Sequence, residues 1–189
     1  MSTFKWLSSL RAAAAALALT CAATSHAGVL DVPGAWRDDN GASVSLAQWR
    51  GRYTVLTMSL GACTKVCSVT LRRMQELQAV ADQRHLAVDF LVISLDPKSD
   101  TPEAWREYRS EHGLARGNWH FLGGSDAATR RVAKQLGVSY WSYDEHVLHD
   151  FRIALLGPDG AVRRSLKWAD DDPAILFAGL GDANEGGQR

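Results

Sequence analysis

Two cysteines four residues apart, Cys63 and Cys67, are the side chains in this sequence best suited to chemistry. They follow an apolar run and precede a stretch with helical spacing, so a strand should end and a helix begin around them. Thiols at the start of a helix face unpaired N–H groups and the positive end of the helix dipole, which favours the thiolate. The i, i+4 spacing puts both sulfurs on one side of a helical turn. Two such thiolates can form a disulfide or bind a soft metal ion.

A purely structural disulfide is a weaker interpretation, because closing so short a loop contributes only about 2 kcal/mol. Cu(I) suits two thiolates, and an imidazole completes such a site well, whereas structural zinc needs four ligands. The candidate histidines after residue 27 are His85, His112, His120, His146 and His149. Spacing alone does not choose between His146 and His149, and a surface or capping role is the commoner one for any single histidine.

The elements that must position these side chains alternate along the chain. Apolar or β-branched runs predict strands at 53–60, 87–95, 119–122, 153–156 and 161–166. Helices are expected directly after the cysteines, from 99 to 113 and from 125 to 137. Residues 28–50 are expected to form an irregular segment with a short strand at 43–46 and a helical turn at 46–50. The order predicts an α/β three-layer sandwich: a mixed sheet, helices on both faces and a C-terminal β-hairpin, as in thioredoxin-like folds.

Composition excludes several classes. Basic and acidic residues number 21 each, so the totals indicate no strongly basic surface for nucleic acid. No strongly apolar run of 20 residues occurs, which excludes a polytopic membrane protein. The sequence also contains no GxGxxG, Walker, GxSxG or HExxH motif. The acidic run 170–172 is expected to be a solvated helix start before Pro173.

The N-terminus has the features of a secretory signal. Lys5 and Arg11 precede the apolar run 12–19, and Ser25-His26-Ala27 follows it. We therefore expect a signal peptide at 1–27 cleaved near Gly28, a copper-binding domain at 28–180 and a flexible tail at 181–189. An uncleaved anchor is the alternative, although the uncharged stretch 12–30 is Ala-rich and contains a histidine. A lipoprotein signal at Cys21 is weaker still, because a bulky Thr20 precedes it.

Cleavage would remove Cys21 and leave Cys63 and Cys67 as the cysteines of the mature chain. A domain of this size buries enough surface to fold without a disulfide. Two cysteines retained in an exported protein therefore indicate a chemical role.

Three segments resemble the Sco/SenC family of copper-binding proteins. GACTKVCSVTLRRMQEL resembles the CxxxC segment of that family, SLDPKSDTPEAWREY its second signature, and HDFRIALLGPDG its histidine, strand and PDG turn. They occur in the same order as in the family and extend over roughly residues 30–168. The resemblance implies a thioredoxin-like fold that binds copper, as Cu(I) or Cu(II), and supplies copper or reducing equivalents to the binuclear copper site of cytochrome oxidase.

Carried over by position, the resemblance implies the ligands Cys63, Cys67 and His149. His149 is chosen because its distance to the turn at 157–160 fits the family pattern, which His146 does not. Asp96 matches the aspartate of the second signature and is expected to support the site without binding the metal. Asp150 follows the histidine where the family commonly has Ser or Thr.

The leading hypothesis is an exported, periplasmic metallochaperone without enzymatic turnover, whose partner is a copper-accepting protein such as a cytochrome oxidase subunit. It would lie near the membrane if the N-terminal segment stays uncleaved as an anchor. A thiol–disulfide oxidoreductase acting on cysteines of a copper protein is the alternative. A thiol peroxidase is a third hypothesis, in which Arg72 or Arg73 would assist the cysteine. Trp141 and Tyr143 are candidates for the border of the site.

Overall fold

The computed structural model describes residues 28–61, 67–144 and 146–181. For residues 67 and 68 it describes the backbone only. The expected signal peptide, Cys63 and the end of the expected tail lie outside the described residues. The described strands are β1 (Trp36–Asp38), β2 (Ser43–Val44), β3 (Tyr53–Ser59), β4 (Val88–Ser94), β5 (Trp119–Gly123), β6 (Tyr140–Tyr143), β7 (His146–His149), β8 (Ile153–Leu156) and β9 (Val162–Leu166). The described α-helices are α1 (Cys67–Gln83), α2 (Pro102–Glu111) and α3 (Asp126–Leu136). Short 3-10 helices cover Val29–Asp31, Leu46–Trp49 and Pro173–Phe177.

The main sheet has seven strands in the order β2-β1-β5-β4-β3-β8-β9. β4 runs parallel to both β3 and β5, whereas β8 is antiparallel to β3 and to β9. The β8–β9 pair is the predicted C-terminal hairpin. The predicted α/β sandwich with a mixed sheet is therefore confirmed.

Helices cover both faces of this sheet. Because side chains alternate along a strand, neighbours such as Val55 and Leu56 of β3 enter different hydrophobic clusters. One cluster contains residues of α1, α2 and the 3-10 helix at Pro173–Phe177. The other contains residues of α3 and of the segment before β3. This two-sided burial explains why the central strands are continuous apolar runs.

Local signals explain where the helices begin and end. The hydroxyl of Thr101 accepts a hydrogen bond from the N–H of Ala104, and Pro102 occupies the first turn of α2. Ser125 caps α3 in the same way, and Gly137 ends it with a φ of 66°. The acidic run ends in Asp172, whose carboxylate accepts from the N–H of Ala174 at the start of the last 3-10 helix.

Two elements differ from the predictions. β1 lies in the segment expected to be irregular, because its three residues are stabilised by pairing with β5 and β2 and not by local sequence. No strand was predicted between 137 and 153, but β6 and β7 form a separate two-stranded hairpin that contains His146 and His149. The hydropathy pattern of this segment does not indicate strands, because most side chains of β6 and β7 are exposed and only Tyr140 and Val147 pack on the core.

Candidate metal centre

The cysteine segment connects the C-terminal end of β3 to the N-terminus of α1. β3 ends at Ser59, and Cys67 is the first residue of α1. The predicted strand-to-helix position of the second cysteine is therefore observed. Backbone N–H groups at the N-terminal end of a helix favour the thiolate of a cysteine placed there, and α1 is 17 residues long.

The histidine segment lies at the same end of β3. Antiparallel pairing sets Thr57 of β3 opposite Ile153 of β8, so β8 begins where β3 is about to end. The hydroxyl of Thr57 donates a hydrogen bond of 2.8 Å to the carbonyl of Arg152, the residue before β8. His149 precedes Ile153 by four residues. The strand that follows His149 therefore pairs with the strand that precedes the cysteines.

His146 and His149 lie on opposite faces of the β6–β7 hairpin. His149 pairs with Tyr140 across the hairpin, whereas His146 pairs with Tyr143. Tyr140 packs against the hydrophobic core, and His149 on the same face is half-buried. Tyr143 is 69% exposed, and His146 beside it is also exposed. The alternation along β7 therefore distinguishes two histidines that spacing could not.

The imidazole of His149 is oriented by the backbone carbonyl of the next residue, Asp150. Its Nδ1 lies 3.0 Å from the carbonyl oxygen of Asp150. A carbonyl oxygen only accepts, so Nδ1 is the donor in this contact, and in a neutral imidazole Nε2 is then the nitrogen with the lone pair. Hydrogen bonds of this kind set the tautomer of histidines that bind metals.

Asp150, which departs from the family pattern, anchors this segment. Its carboxylate accepts a 2.8 Å hydrogen bond from the N–H of Ser139, and its N–H donates to the carbonyl of Ser139 at 3.0 Å. The hydrogen bond from the Ser139 backbone is the main reason that the pKa of Asp150 lies below its ordinary value. The pair fixes the end of β7 to the start of β6.

The other candidate histidines make local contacts. His112, at the end of α2, stacks on Tyr108 and has Nδ1 2.7 Å from its carbonyl oxygen. His120 in β5 has Nε2 2.9 Å from a carboxylate oxygen of Asp89 in β4. His85 is exposed just after α1, with a φ of 52°. His85 and His112 have surface or capping roles, whereas His120 is part-buried between Asp89 and the ring of Trp49.

Asp96 stabilises the loop that follows β4. Its carboxylate accepts from the N–H of Lys98 at 3.3 Å and from the hydroxyl of Ser99 at 2.7 Å. It also lines an open cavity of about 380 Å³ together with Tyr140 and Val147 from the inner face of the hairpin. The expected supporting residue thus borders the hairpin that carries His149.

Asp100 is a residue of the site region that the sequence interpretation missed. It was grouped with the start of α2, where Thr101 is the actual cap. Asp100 is 3% exposed, and its carboxylate accepts hydrogen bonds from the N–H of Gly61 at 2.9 Å and the hydroxyl of Ser94 at 2.6 Å. Asp100 is the second aspartate of the SLDPKSD segment, but nothing in the local sequence indicates that its side chain turns back to β3.

The arginines required by the peroxidase hypothesis are engaged elsewhere. Arg73 pairs with Glu76 and donates to the carbonyl of Asp171. Arg72 lies 3.7 Å from the carboxylate of the same Glu76. Trp141 and Tyr143, the candidates for the border of the site, are 52% and 69% exposed. Trp141 lines the cavity that Asp96 also lines.

Among the described side chains, no group of three His, Cys, Asp or Glu residues is arranged to hold a metal ion. Cys63 and the thiol of Cys67 are not among those side chains. Within the described ranges no helix is long and apolar enough to cross a membrane.

Comparison with known proteins identifies a family model and relatives that match this chain. A model of the SCO1/SenC family matches residues 30–180. A Stutzerimonas stutzeri protein that carries the name of a copper-binding protein is 30% identical over 137 residues, which span 69% of this chain and 65% of that protein.

Two solved structures share the fold. Arabidopsis thaliana ScoI with copper bound has a TM-score of 0.67 at 23% identity, covering 78% of this chain and 93% of its own. BsSco, described as a member of the Sco family of cytochrome c oxidase assembly proteins with a disulfide switch, has a TM-score of 0.63 at 24% identity, covering 75% and 85%. With its mixed sheet, its cysteine segment before α1 and its family match over most of its length, this chain belongs to the SCO1/SenC family.

Proposed function

We propose that this protein is an exported copper-binding assembly factor in which Cys63, Cys67 and His149 hold the metal. The observation that carries the proposal is the β3–β8 register, with Thr57 opposite Ile153. Because of this register, two segments separated by about 80 residues of sequence start from the same end of β3. One contains both cysteines and the other contains the half-buried histidine.

The donor set suits copper as a cargo. Two thiolates and one neutral imidazole give Cu(I) a three-coordinate site that stays open on one side for exchange with a partner. The hydrogen bond from Nδ1 of His149 to the Asp150 carbonyl leaves Nε2 as the donor atom. The helix terminus at Cys67 favours the thiolate that the metal requires.

The partner class follows from the relatives. BsSco is described as belonging to the cytochrome c oxidase assembly proteins, and ScoI was solved with copper bound. We infer that the client of this chain is a copper-accepting subunit of cytochrome c oxidase. Delivery there requires location outside the cytoplasm, in the periplasm or at its membrane surface, which agrees with the signal-like features of residues 1–27.

Copper titration of the reduced domain from Gly28 onward tests the proposal. The wild type should bind a single Cu(I) per chain, and its Cu(II) complex should show thiolate-to-copper absorption. Cys63→Ser and His149→Ala should each weaken Cu(I) binding and abolish that absorption, because each removes a ligand.

His146→Ala is the matched control, since it removes an imidazole from the outer face of the same strand. Loss of binding in His146→Ala but not in His149→Ala would show that the wrong histidine was assigned. A wild-type protein that binds no copper would refute the proposal.

A thiol–disulfide oxidoreductase is the second candidate, and the position of Cys67 at the first residue of α1 favours it. In this reaction the thiols of Cys63 and Cys67 lose two electrons and two protons and form a disulfide. The client disulfide gains them and becomes a dithiol. A reductase needs no imidazole ligand, so His149→Ala should retain this activity while Cys63→Ser loses it.

A further inference from the structure

The carboxylate of Asp100 joins three segments near the point where the chain leaves β3 toward Cys63. One oxygen accepts from the N–H of Gly61, just beyond β3, at 2.9 Å. The other accepts at 2.6 Å from the hydroxyl of Ser94, the last residue of β4. Asp100 itself lies two residues before α2. A 3% exposed carboxylate is costly to bury, and hydrogen bonds from such donors are what offset the cost.

Ser94 orients this carboxylate. Its hydroxyl donates to Asp100 and accepts a 3.0 Å hydrogen bond from the N–H of Asp96. The proton of the Ser94 hydroxyl therefore points toward the carboxylate of Asp100. A continuous set of hydrogen bonds runs from the loop after β4, through Ser94 and Asp100, to the backbone of Gly61.

Gly61 permits a close approach at this point. A Cβ on this residue would lie 2.9 Å from the Oδ1 of Asp100 and 3.2 Å from the buried indole of Trp105. Glycine therefore lets the backbone lie directly against the carboxylate and the indole, and Cys63 follows only two residues later.

We propose that Asp100 is a positioning residue for the CxxxC segment: it holds the chain leaving β3 at the height and direction that bring the thiols to His149. The inference rests on the proposed copper site. Metal ligands must keep a defined geometry, and hydrogen bonds outside the ligand set maintain it. Gly61 precedes Cys63 by two residues, so a hydrogen bond to its N–H holds the chain close to the first cysteine.

The test uses Asp100→Ala, which removes the acceptor, and Asp100→Asn, whose amide oxygen still accepts from Gly61. Asp100→Ala should weaken Cu(I) binding by about 10- to 100-fold, as is usual for second-sphere residues, and should alter the EPR spectrum of the Cu(II) complex. Hydrogen exchange at the Gly61 amide should accelerate. Asp100→Asn should restore most of all three properties.

Asp159→Ala is the control for loss of a carboxylate. Asp159 accepts a 3.1 Å hydrogen bond from the N–H of Ala161 in the β8–β9 turn, at the opposite end of β8. Its copper affinity, EPR spectrum and Gly61 exchange should match the wild type. Equal weakening in Asp159→Ala and Asp100→Ala would indicate general destabilisation and overturn the positioning role.

A folded Asp100→Ala with wild-type copper affinity and spectrum would also overturn it. If Asp100→Ala fails to fold, Gly61→Ala decides, because it keeps every polar group and displaces the backbone from the carboxylate. It should lose copper affinity to a similar degree, and unchanged affinity would refute the inference.

Failure of the proposed function gives a different result. A wild type that binds no copper refutes that function. The positioning role of Asp100 is then tested in the metal-free protein. Unchanged Gly61 exchange and an unchanged reduction potential of the Cys63–Cys67 pair in Asp100→Ala would refute the positioning role.

Discussion

The hydroxyl of Thr57 in β3 donates a 2.8 Å hydrogen bond to the carbonyl of Arg152, directly before β8. The bond reinforces the pairing of Thr57 with Ile153 at the end of the sheet where both candidate ligand segments begin. Thr57 is 1% exposed, so water cannot replace this donor once it is lost. The contact connects the chain before the cysteines with the chain after His149.

Thr57→Val should therefore destabilise the protein by about 1 to 2 kcal/mol, because it keeps the shape of the side chain and removes the donor. Thr54→Val is the matched control in the same strand. Thr54 is fully buried and its hydroxyl has no hydrogen-bond partner among the described residues. That substitution should be neutral or stabilising. Urea unfolding measures both, and equal losses would contradict the role given to Thr57.

Asp150→Ala should weaken copper binding although Asp150 is not a proposed ligand. The substitution removes the acceptor for the Ser139 N–H and so loosens the end of β7 that carries His149. Asp150→Asn retains an oxygen acceptor and should stay close to the wild type. Competition titration with a Cu(I) chelator measures the difference, and indistinguishable affinities for the two variants would contradict the anchoring role.

Acidification should loosen the segment after β9. The carboxylate of Asp171 accepts from the N–H groups of Lys167 and Trp168, and these bonds hold the pKa of Asp171 below its ordinary value of 3.8. A lowered pKa in the folded state contributes stability that is complete above the ordinary value and is lost as the pH falls through the lowered one. The stability advantage of the wild type over Asp171→Ala should therefore shrink below about pH 4.

Denaturant unfolding at a series of pH values checks this expectation. Asp170→Ala is the control, because it alters the neighbouring carboxylate and leaves both backbone hydrogen bonds of Asp171 in place. An advantage that stays constant down to about pH 2.5 would contradict the assignment.

Export should leave a mature chain that begins near Gly28. In the structure the N–H of Gly28 donates a 2.9 Å hydrogen bond to the carboxylate of Asp31. After cleavage there, this nitrogen would be an ammonium group, and its bond to Asp31 would become charge-assisted. N-terminal sequencing of native material measures the site, and an intact Met1 in the cytoplasmic fraction would contradict export.

Much of the fold could be predicted because its signals are local. The continuous apolar runs of β3 and β4, the Thr101-Pro102 start of α2 and Gly137 after α3 each depend on residues adjacent in sequence. Elements that depend on partners far away in sequence could not be predicted in this way. β1 has three residues and is stabilised by pairing with β5, more than 80 residues later.

For the site, the sequence by itself determined that two cysteines stand between a strand and a helix, because residue types and spacing suffice for that. Spacing alone did not choose between His146 and His149, and only the family resemblance favoured His149. Tertiary structure decided which face of the hairpin each occupies, because the packing of Tyr140 and Val147 on the core sets which side of β7 turns inward. The tertiary structure also brings the carboxylate of Asp100, which in sequence lies next to the start of a helix, to the N–H of Gly61. Only folding places the ends of β3 and β4 side by side.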